Sequence, residues 1–582
     1  MVKNKHSFDQ QLNKDFIVKV SLGIIVAAAF FIRIFNLGGQ DMASDDVLYS
    51  FRSIGLVDYV ASLNFQSTPM SWFSERQWWQ SLSFHDHPPL VFIIQWIFFK
   101  IGGINVWAAR MPFALAGALS VLFLFFLGRE LFSARIGLFS AAALAVANYA
   151  VWISRIGLLD GFLVLWIILS LYFFVKAETK PINYLWWGIF CAAGILTKYT
   201  FIFMFPVFIA MLFFRRKTVF KEKWFYIGII AFFILISPII IYNIMMWQTR
   251  GHLDSTLSSM IGKIPEDFEG LARSSDRNMD ILSALKEIFY DNFSIGFIIL
   301  FFSGTILFIY GLFKDKIIKD KYLIILFGLL FALAMLIFGG IGGGRFGVIV
   351  LPFTALIIGY LASSAIEWFD LGSKKKAVIS ILLLFGIWEV FYAIQSQLVV
   401  KPLINNRLLL SANLPSYGGY NQLEKYISDF YKDQKARPVI NFYVEVPQLA
   451  RYQEKIIGEI SKDMAQLAPY EHLLVYSDRL AWFPMVWITE RRILYEAIPI
   501  ISLSRFIGML QMKGIEYYKK FGLKDITIIV PTDNIKQNQL ISDEEGVDDF
   551  VSQLEAGLEP DTEISGGADG KALFKVFSFP FP

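Results

Sequence analysis

Apolar runs of roughly 15 to 25 residues recur through the first two thirds of the chain, and this feature decides its solvent. A helix rises 1.5 Å per residue, so about 20 residues cross about 30 Å of hydrocarbon. Such runs fall near 16–36, 108–127, 136–153, 159–176, 184–197, 200–214, 224–246, 288–313, 322–340, 346–366 and 377–396. They predict an all-α polytopic membrane protein with about eleven transmembrane helices. Of the 582 residues, 56% are hydrophobic and 18% charged, a balance no soluble domain of this size keeps in solution. The first run is longer than the apolar core of a cleaved leader, about 7–15 residues, and reads as a retained span. Cys191 is the single cysteine, which excludes an intrachain disulfide and a cysteine metal cluster.

Lysine and arginine set the orientation. Lys3, Lys5, Lys14 and Lys19 precede the first run, and alternate loops carry Arg129/Arg135, Lys176/Lys180, Arg215 to Lys223, Lys314 to Lys321 and Lys374 to Lys376. These predict the cytoplasmic face, with residues 1–15 inside and everything after 397 outside a cell (plasma or inner) membrane. The net charge of +4 belongs to this loop anchoring, and nucleic acid is discounted as a partner. Residues 88–104 are apolar but short and open on Pro88-Pro89; counting them as a span inverts every later loop, so they read as an interfacial helix. The domains expected are a membrane domain over 16–400, with an outer loop at 37–107, and an extracytoplasmic α/β domain over 401–582. Strand-like runs at Val439–Val446, His472–Tyr476, Ile526–Val530 and Leu573–Phe579 alternate there with helical stretches at Leu423–Tyr431 and Leu503–Phe521.

Charged residues interrupt this pattern in few places. Asp45 and Asp46 begin a helical stretch with Tyr49 and Arg52 at helical spacing. Adjacent carboxylates suit a general base, and equally a helix start in which Ser44 or Asp45 caps free N–H groups. His85-Asp86-His87 precedes the prolines in a chain of 5 histidines. His85 and His87 are candidate metal ligands, phosphate binders when protonated, or turn residues, and a divalent metal ion is left open. The Trp72–Trp79 stretch suits sugar stacking and interface anchoring equally. Asp160, Lys198 and Arg345 each break an apolar hairpin; the bland readings are a salt bridge from Asp160 to Arg155, and snorkelling for the two cations. Asp45, Asp46, Asp160, His87, Arg155, Lys198 and Arg345 are all expected at one membrane depth, the depth of a lipid phosphate.

In this order, the acidic pair, His-Pro-Pro-Leu at 87–90, Ala-Arg-Met-Pro at 109–112, Gly128-Arg129, Leu-Leu-Asp at 158–160, Leu-Thr-Lys at 196–198 and Arg345-Phe346 with Pro352 resemble the GT-C glycosyltransferases. The nearest likeness is to the bacterial branch related to protein O-mannosyltransferases and the lipid A aminoarabinose transferase. The resemblance covers about residues 10–400. It implies a polyprenyl-phosphate-linked sugar as donor, an acceptor hydroxyl on a glycolipid, glycan or protein outside the membrane, and inversion at the anomeric carbon. It further implies Asp45 as general base, Asp46 as its partner, Asp160 as a second essential acid, and His87, Lys198, Arg345 and Arg155 as donor-phosphate or scaffold residues. This sequence has Asp-Asp where Asp-Glu is commoner, and His87 where many relatives carry lysine. A transporter reading fits less well, because the mid-span regions are nearly free of charge. A non-catalytic envelope scaffold leaves Asp45 and Asp160 replaceable.

Overall fold

The structure, a computed structural model, describes residues 2–59, 69–214, 217–263, 265–268, 281–315, 319–338, 344–368, 373–399, 418–432, 440–441, 446–463, 469–534, 547–566 and 570–581. The chain forms two compact units, one of Met1–Leu37 and Leu82–Pro415, the other of Gly38–Ser81 and Ser416–Pro582.

In the first unit, helices occupy all eleven expected segments. Among the described residues, seven are long and apolar enough to cross a membrane. An eighth appears if Ala134–Val146 and Asn148–Arg155, bent by 60° at their junction, count as one. The remaining expected spans are shorter: Asp160–Lys176 has 17 residues and Asn183–Thr197 has 15, followed after Lys198 by a 3-10 turn over Tyr199–Phe203. At 1.5 Å per residue these reach only about 22 to 26 Å. Two of the chain's buried charges, Asp160 and Lys198, sit where these helices begin and break.

Position in the bundle follows from burial. In the helical segment Gly344–Trp368, 83% of the apolar window is buried, against 17% in Asp15–Ile34 and in Lys374–Gln397. The first is a central helix; the other two present most of their apolar surface outward. Small residues allow close crossings, as in membrane bundles generally. A Cβ added at Gly188 would collide with the backbone of Gly228, so helix Asn183–Thr197 packs on helix Lys223–Arg250 through glycine on glycine. The expected interfacial segment is the helix Leu90–Gly102, with Val91, Phe92, Gln95 and Phe99 buried and Ile93, Ile97 and Ile101 exposed. One covered face and one bare apolar face suit an element lying at an interface.

The second unit contains a five-stranded sheet of β1 (His472–Tyr476), β2 (Ile500–Ser502), β3 (Asp525–Pro531), β4 (Thr562–Gly566) and β5 (Lys571–Pro580) in the order β2-β1-β3-β5-β4. The first three are parallel, and β5 pairs antiparallel with both β3 and β4. Buried runs such as Leu473-Leu474-Val475 and Ile528-Ile529-Val530 form its core, as expected of strands covered on both faces. The expected strand at Val439–Val446 lies mostly outside the described residues. Residues 38–59 join this unit through hydrogen bonds of their own. Backbone N–H groups of Gly418 and Asn421 donate to the Asp41 carboxylate, and Asn421 Nδ2 donates to the carbonyls of Gly38 and Gly39 at 3.1 and 3.0 Å. Tyr495 Oη donates to the Phe51 carbonyl at 2.7 Å. The acidic motif, expected in the outer loop of the membrane domain, is thus part of the C-terminal unit.

Candidate active site

Asp160 opens helix Asp160–Lys176 and is 1% exposed. An ionised carboxylate at that burial needs a partner. The partner is Lys198, whose Nζ donates to Asp160 Oδ1 at 2.7 Å and Oδ2 at 2.9 Å. Lys198 is placed for this by an extended backbone between helix Asn183–Thr197 and the following 3-10 turn. Its ammonium lies 4.4 Å from the Phe346 ring centre, and the Arg345 guanidinium lies 5.0 Å from the same ring, both within cation–π range. Three sequence-predicted residues, Asp160, Lys198 and Arg345, are therefore brought together around one aromatic ring.

Arg155 does not join them, and the expected salt bridge to Asp160 is replaced by the one from Lys198. Arg155 Nη1 donates to the carbonyls of Ile32, Arg33 and Phe35 at 2.9, 3.1 and 2.7 Å, and Nη2 to that of Asn36 at 3.3 Å. Ile32 and Arg33 belong to the last turn of helix Val2–Ile34, whose carbonyls lack intrahelical donors, and Phe35 and Asn36 lie just beyond it. A buried cation on them satisfies the groups and complements the negative end of the helix dipole. Arg33 serves a similar purpose, donating to Ala145 and Leu144 carbonyls at 3.0 and 3.3 Å.

The His85–His87 stretch is tied to the loop after helix Lys223–Arg250. Ser255 N donates to the His85 carbonyl at 2.8 Å, and Thr256 Oγ1 donates to that of Asp86. The buried His85 ring stacks on Phe268 at 5.7 Å between centres. His87 Nδ1 lies 3.2 Å from an Asp86 carboxylate oxygen. Donor atoms of His85 and Asp86 lie within 4.8 Å of each other, close enough for both to ligate one metal ion.

Sequence reasoning missed Asp254. It is fully buried, accepts from Tyr199 Oη at 2.7 Å and Asn243 Nδ2 at 2.9 Å, and caps a short helix by accepting from Leu257 N at 2.8 Å. Burial first, and the nearby Asp86 charge to a smaller degree, raise its pKa against these hydrogen bonds. The Asp-Ser-Thr sequence carried a cap signal; the partners from two helices were not visible. Nearby, Asp267 receives Arg250 Nε at 2.9 Å and His252 Nε2 at 2.8 Å. Burial opposes its ionisation, but these two partners hold its pKa below the usual carboxylate value.

In the second unit, Asp45 and Asp46 begin helix Asp45–Gly55. Asp46 is fully buried, and the half-buried Asp45 accepts a 3.0 Å hydrogen bond from Tyr49 Oη one turn on. Ser44 is the N-cap residue but makes no side-chain capping bond, and it holds φ 57° and ψ −149°. That region is disfavoured for any residue except glycine and is found mostly where function requires it. Trp79 is buried against Phe73 in this unit, while Trp78 is 65% exposed.

Residues 86–242 match the family described as dolichyl-phosphate-mannose-protein mannosyltransferase. No curated protein matches by sequence. Among solved structures, ArnT from Cupriavidus metallidurans bound to undecaprenyl phosphate is similar with a TM-score of 0.50 at 11% identity, over 95% of this chain and 97% of that one. The Archaeoglobus fulgidus oligosaccharyltransferase tethered with an acceptor peptide is similar with a TM-score of 0.50 at 12% identity, over 88% of this chain and 69% of that one. At these identities the likeness is one of fold. A segment matching the mannosyltransferase family thus sits within a polytopic helical fold that the chain shares with these structures over most of its length. The segment matched by the mannosyltransferase family holds His87, Arg155, Asp160 and Lys198, and does not reach the acidic pair.

Proposed function

We propose that the protein transfers a single sugar from a polyprenyl-phosphate donor to an acceptor hydroxyl on the extracytoplasmic side of a cell membrane, with inversion. The observation that carries this reading is the buried Asp160–Lys198 pair beside Arg345 on the Phe346 ring. Fixed cations are what a phosphate leaving group requires. The reading is supported by the fold shared with a protein bound to undecaprenyl phosphate, and by the lysine and arginine pattern, which puts the N-terminus inside and the C-terminal unit outside.

In the proposed reaction the acceptor oxygen attacks the anomeric carbon from the face opposite the phosphate. The new glycosidic bond forms as the carbon–oxygen bond to phosphate breaks, and that electron pair leaves on polyprenyl phosphate. The hydroxyl proton passes to Asp45, which Tyr49 orients and Asp46 supports. Lys198, held by Asp160, and Arg345 offset the charge developing on the phosphate, and His87 adds to this when protonated. His85 and Asp86 would hold a divalent cation, whose charge would neutralise phosphate oxygens. Arg155 is left out of the donor set, because it serves the end of helix Val2–Ile34.

Asp45→Asn tests the assignment: it preserves size and hydrogen-bonding reach while removing basicity. Release of sugar from synthetic polyprenyl-phosphate donors by purified protein should fall by about 10²- to 10⁴-fold at an unchanged melting temperature. Undiminished transfer removes Asp45 from the mechanism. Turnover by the wild type with no sugar or acceptor in a broad panel overturns the proposed activity. Reporter fusions after residue 265 should read extracytoplasmic and those after 375 cytoplasmic.

A further inference from the structure

A polar cavity lies in the membrane unit, away from the groups used above. Its volume is about 510 Å³, between the ends of helices Ile295–Lys314, Lys319–Phe338 and Leu351–Trp368. Arg345 and Trp368 stand at opposite ends of one helical segment of 25 residues, so the cavity is about 35 Å along the helix from the Asp160–Lys198 pair's neighbour. In the topology read from lysine and arginine, the loop at this cavity, which carries Lys314 to Lys321, lies on the cytoplasmic face.

We infer that this cavity binds the headgroup of a membrane phospholipid bearing both a phosphate and a primary ammonium, the chemistry of phosphatidylethanolamine. Three features lead there. At its base the hydroxyls of Tyr322 and Tyr360 are hydrogen-bonded at 3.0 Å. One proton serves that bond, so the pair still has a donor and lone pairs to offer a ligand. Gly311 makes room for them: a Cβ there would stand 2.7 Å from Tyr360 Oη and 3.0 Å from Tyr322 Oη. At the rim, Lys314 and Asp315 are consecutive and both line the cavity. An ammonium beside a carboxylate matches a zwitterion of phosphate and primary amine better than a ligand of one sign. Leading to the rim is an apolar track on helix Ile295–Lys314: Ile299, Phe302, Ile306 and Tyr310, spaced by three or four residues, are all exposed by more than half. Such a track is a path for acyl chains, with Tyr310 and Trp368 at headgroup level.

The test uses the full-length protein in nanodiscs of phosphatidylcholine doped with phosphatidylethanolamine or phosphatidylglycerol of identical chains, followed by mild extraction and native mass spectrometry of retained lipid. Phosphatidylethanolamine should be retained at least about tenfold over the other two. Lys314→Gln should abolish that preference, and Asp315→Asn should shift it toward phosphatidylglycerol. Gly311→Leu fills the cavity and should remove retention altogether; the two rim variants keep the test valid should it fail to fold. Equal retention of the three lipids, or a preference indifferent to Lys314 and Asp315, overturns the proposal. Inorganic phosphate displacing the lipid at millimolar concentration assigns the cavity to free phosphate and overturns it too.

Discussion

Arg155 and Asp160 are five residues apart and nearly fully buried in the same unit, yet they are stabilised in opposite ways. Arg155 donates to four backbone carbonyls at and just beyond the end of helix Val2–Ile34. Asp160 meets a full charge, Lys198, beside a ring that also carries Arg345. A cation on helix-end carbonyls ties two helices together and has little left to give a substrate. A buried ion pair is a different object, since continuum and mutational results agree that such pairs are weak sources of stability compared with apolar replacements. The first arrangement is explained by architecture. The second calls for a role in chemistry.

Breaking the pair should have the largest effect. Lys198→Met leaves Asp160 buried without its cation, costing about 3–5 kcal/mol of stability, and transfer should fall by at least about 10²-fold; melting in detergent and donor turnover measure the two losses. Arg155→Ala comes next. Leaving the helix-end carbonyls without their donor should cost about 2–4 kcal/mol, while turnover per folded molecule changes less than about tenfold. Losses in the reverse order would erase the distinction between the two residues.

A smaller, pH-dependent effect is expected at Asp267. Its folded pKa is held below the unfolded value by Arg250 and His252, so its stabilisation is present above the unfolded pKa of about 4 and is lost as pH falls through the folded one. Limited proteolysis within 251–268 should accelerate below pH ~4, and Asp267→Asn should remove most of that dependence. The smallest effect is at Ser44, where φ 57° and ψ −149° favour glycine. Ser44→Gly should raise stability by about 1 kcal/mol, read as a higher melting temperature; a loss would mean that the serine side chain contributes something the backbone strain conceals.

The length of the apolar runs located the membrane helices, and the charges interrupting them pointed to Asp160, Lys198 and Arg345. Pairings were another matter. Asp160 finds a partner 38 residues away, whereas the nearer Arg155 reaches helix-end carbonyls more than 115 residues back. Periodicity reports which face of a helix is covered but not by what, so the nearer charge looked like the natural mate. The grouping of Asp45 and Asp46 with the C-terminal unit rests on bonds such as that from Asn421 N to Asp41, 380 positions apart, and no local pattern announces it. Asp254 was readable as a cap; that Tyr199 and Asn243 converge on it was not.

The most direct measurement is the double variant Asp160→Leu/Lys198→Met, assayed for melting temperature and for sugar release from polyprenyl-phosphate donors. Replacing a buried ion pair by apolar residues is commonly neutral or stabilising by about 1–4 kcal/mol. If the pair serves chemistry, the melting temperature should be at or above that of the wild type, with transfer reduced by at least about 10²-fold. A stable double variant that transfers sugar at the wild-type rate would contradict that role and reduce the pair to packing.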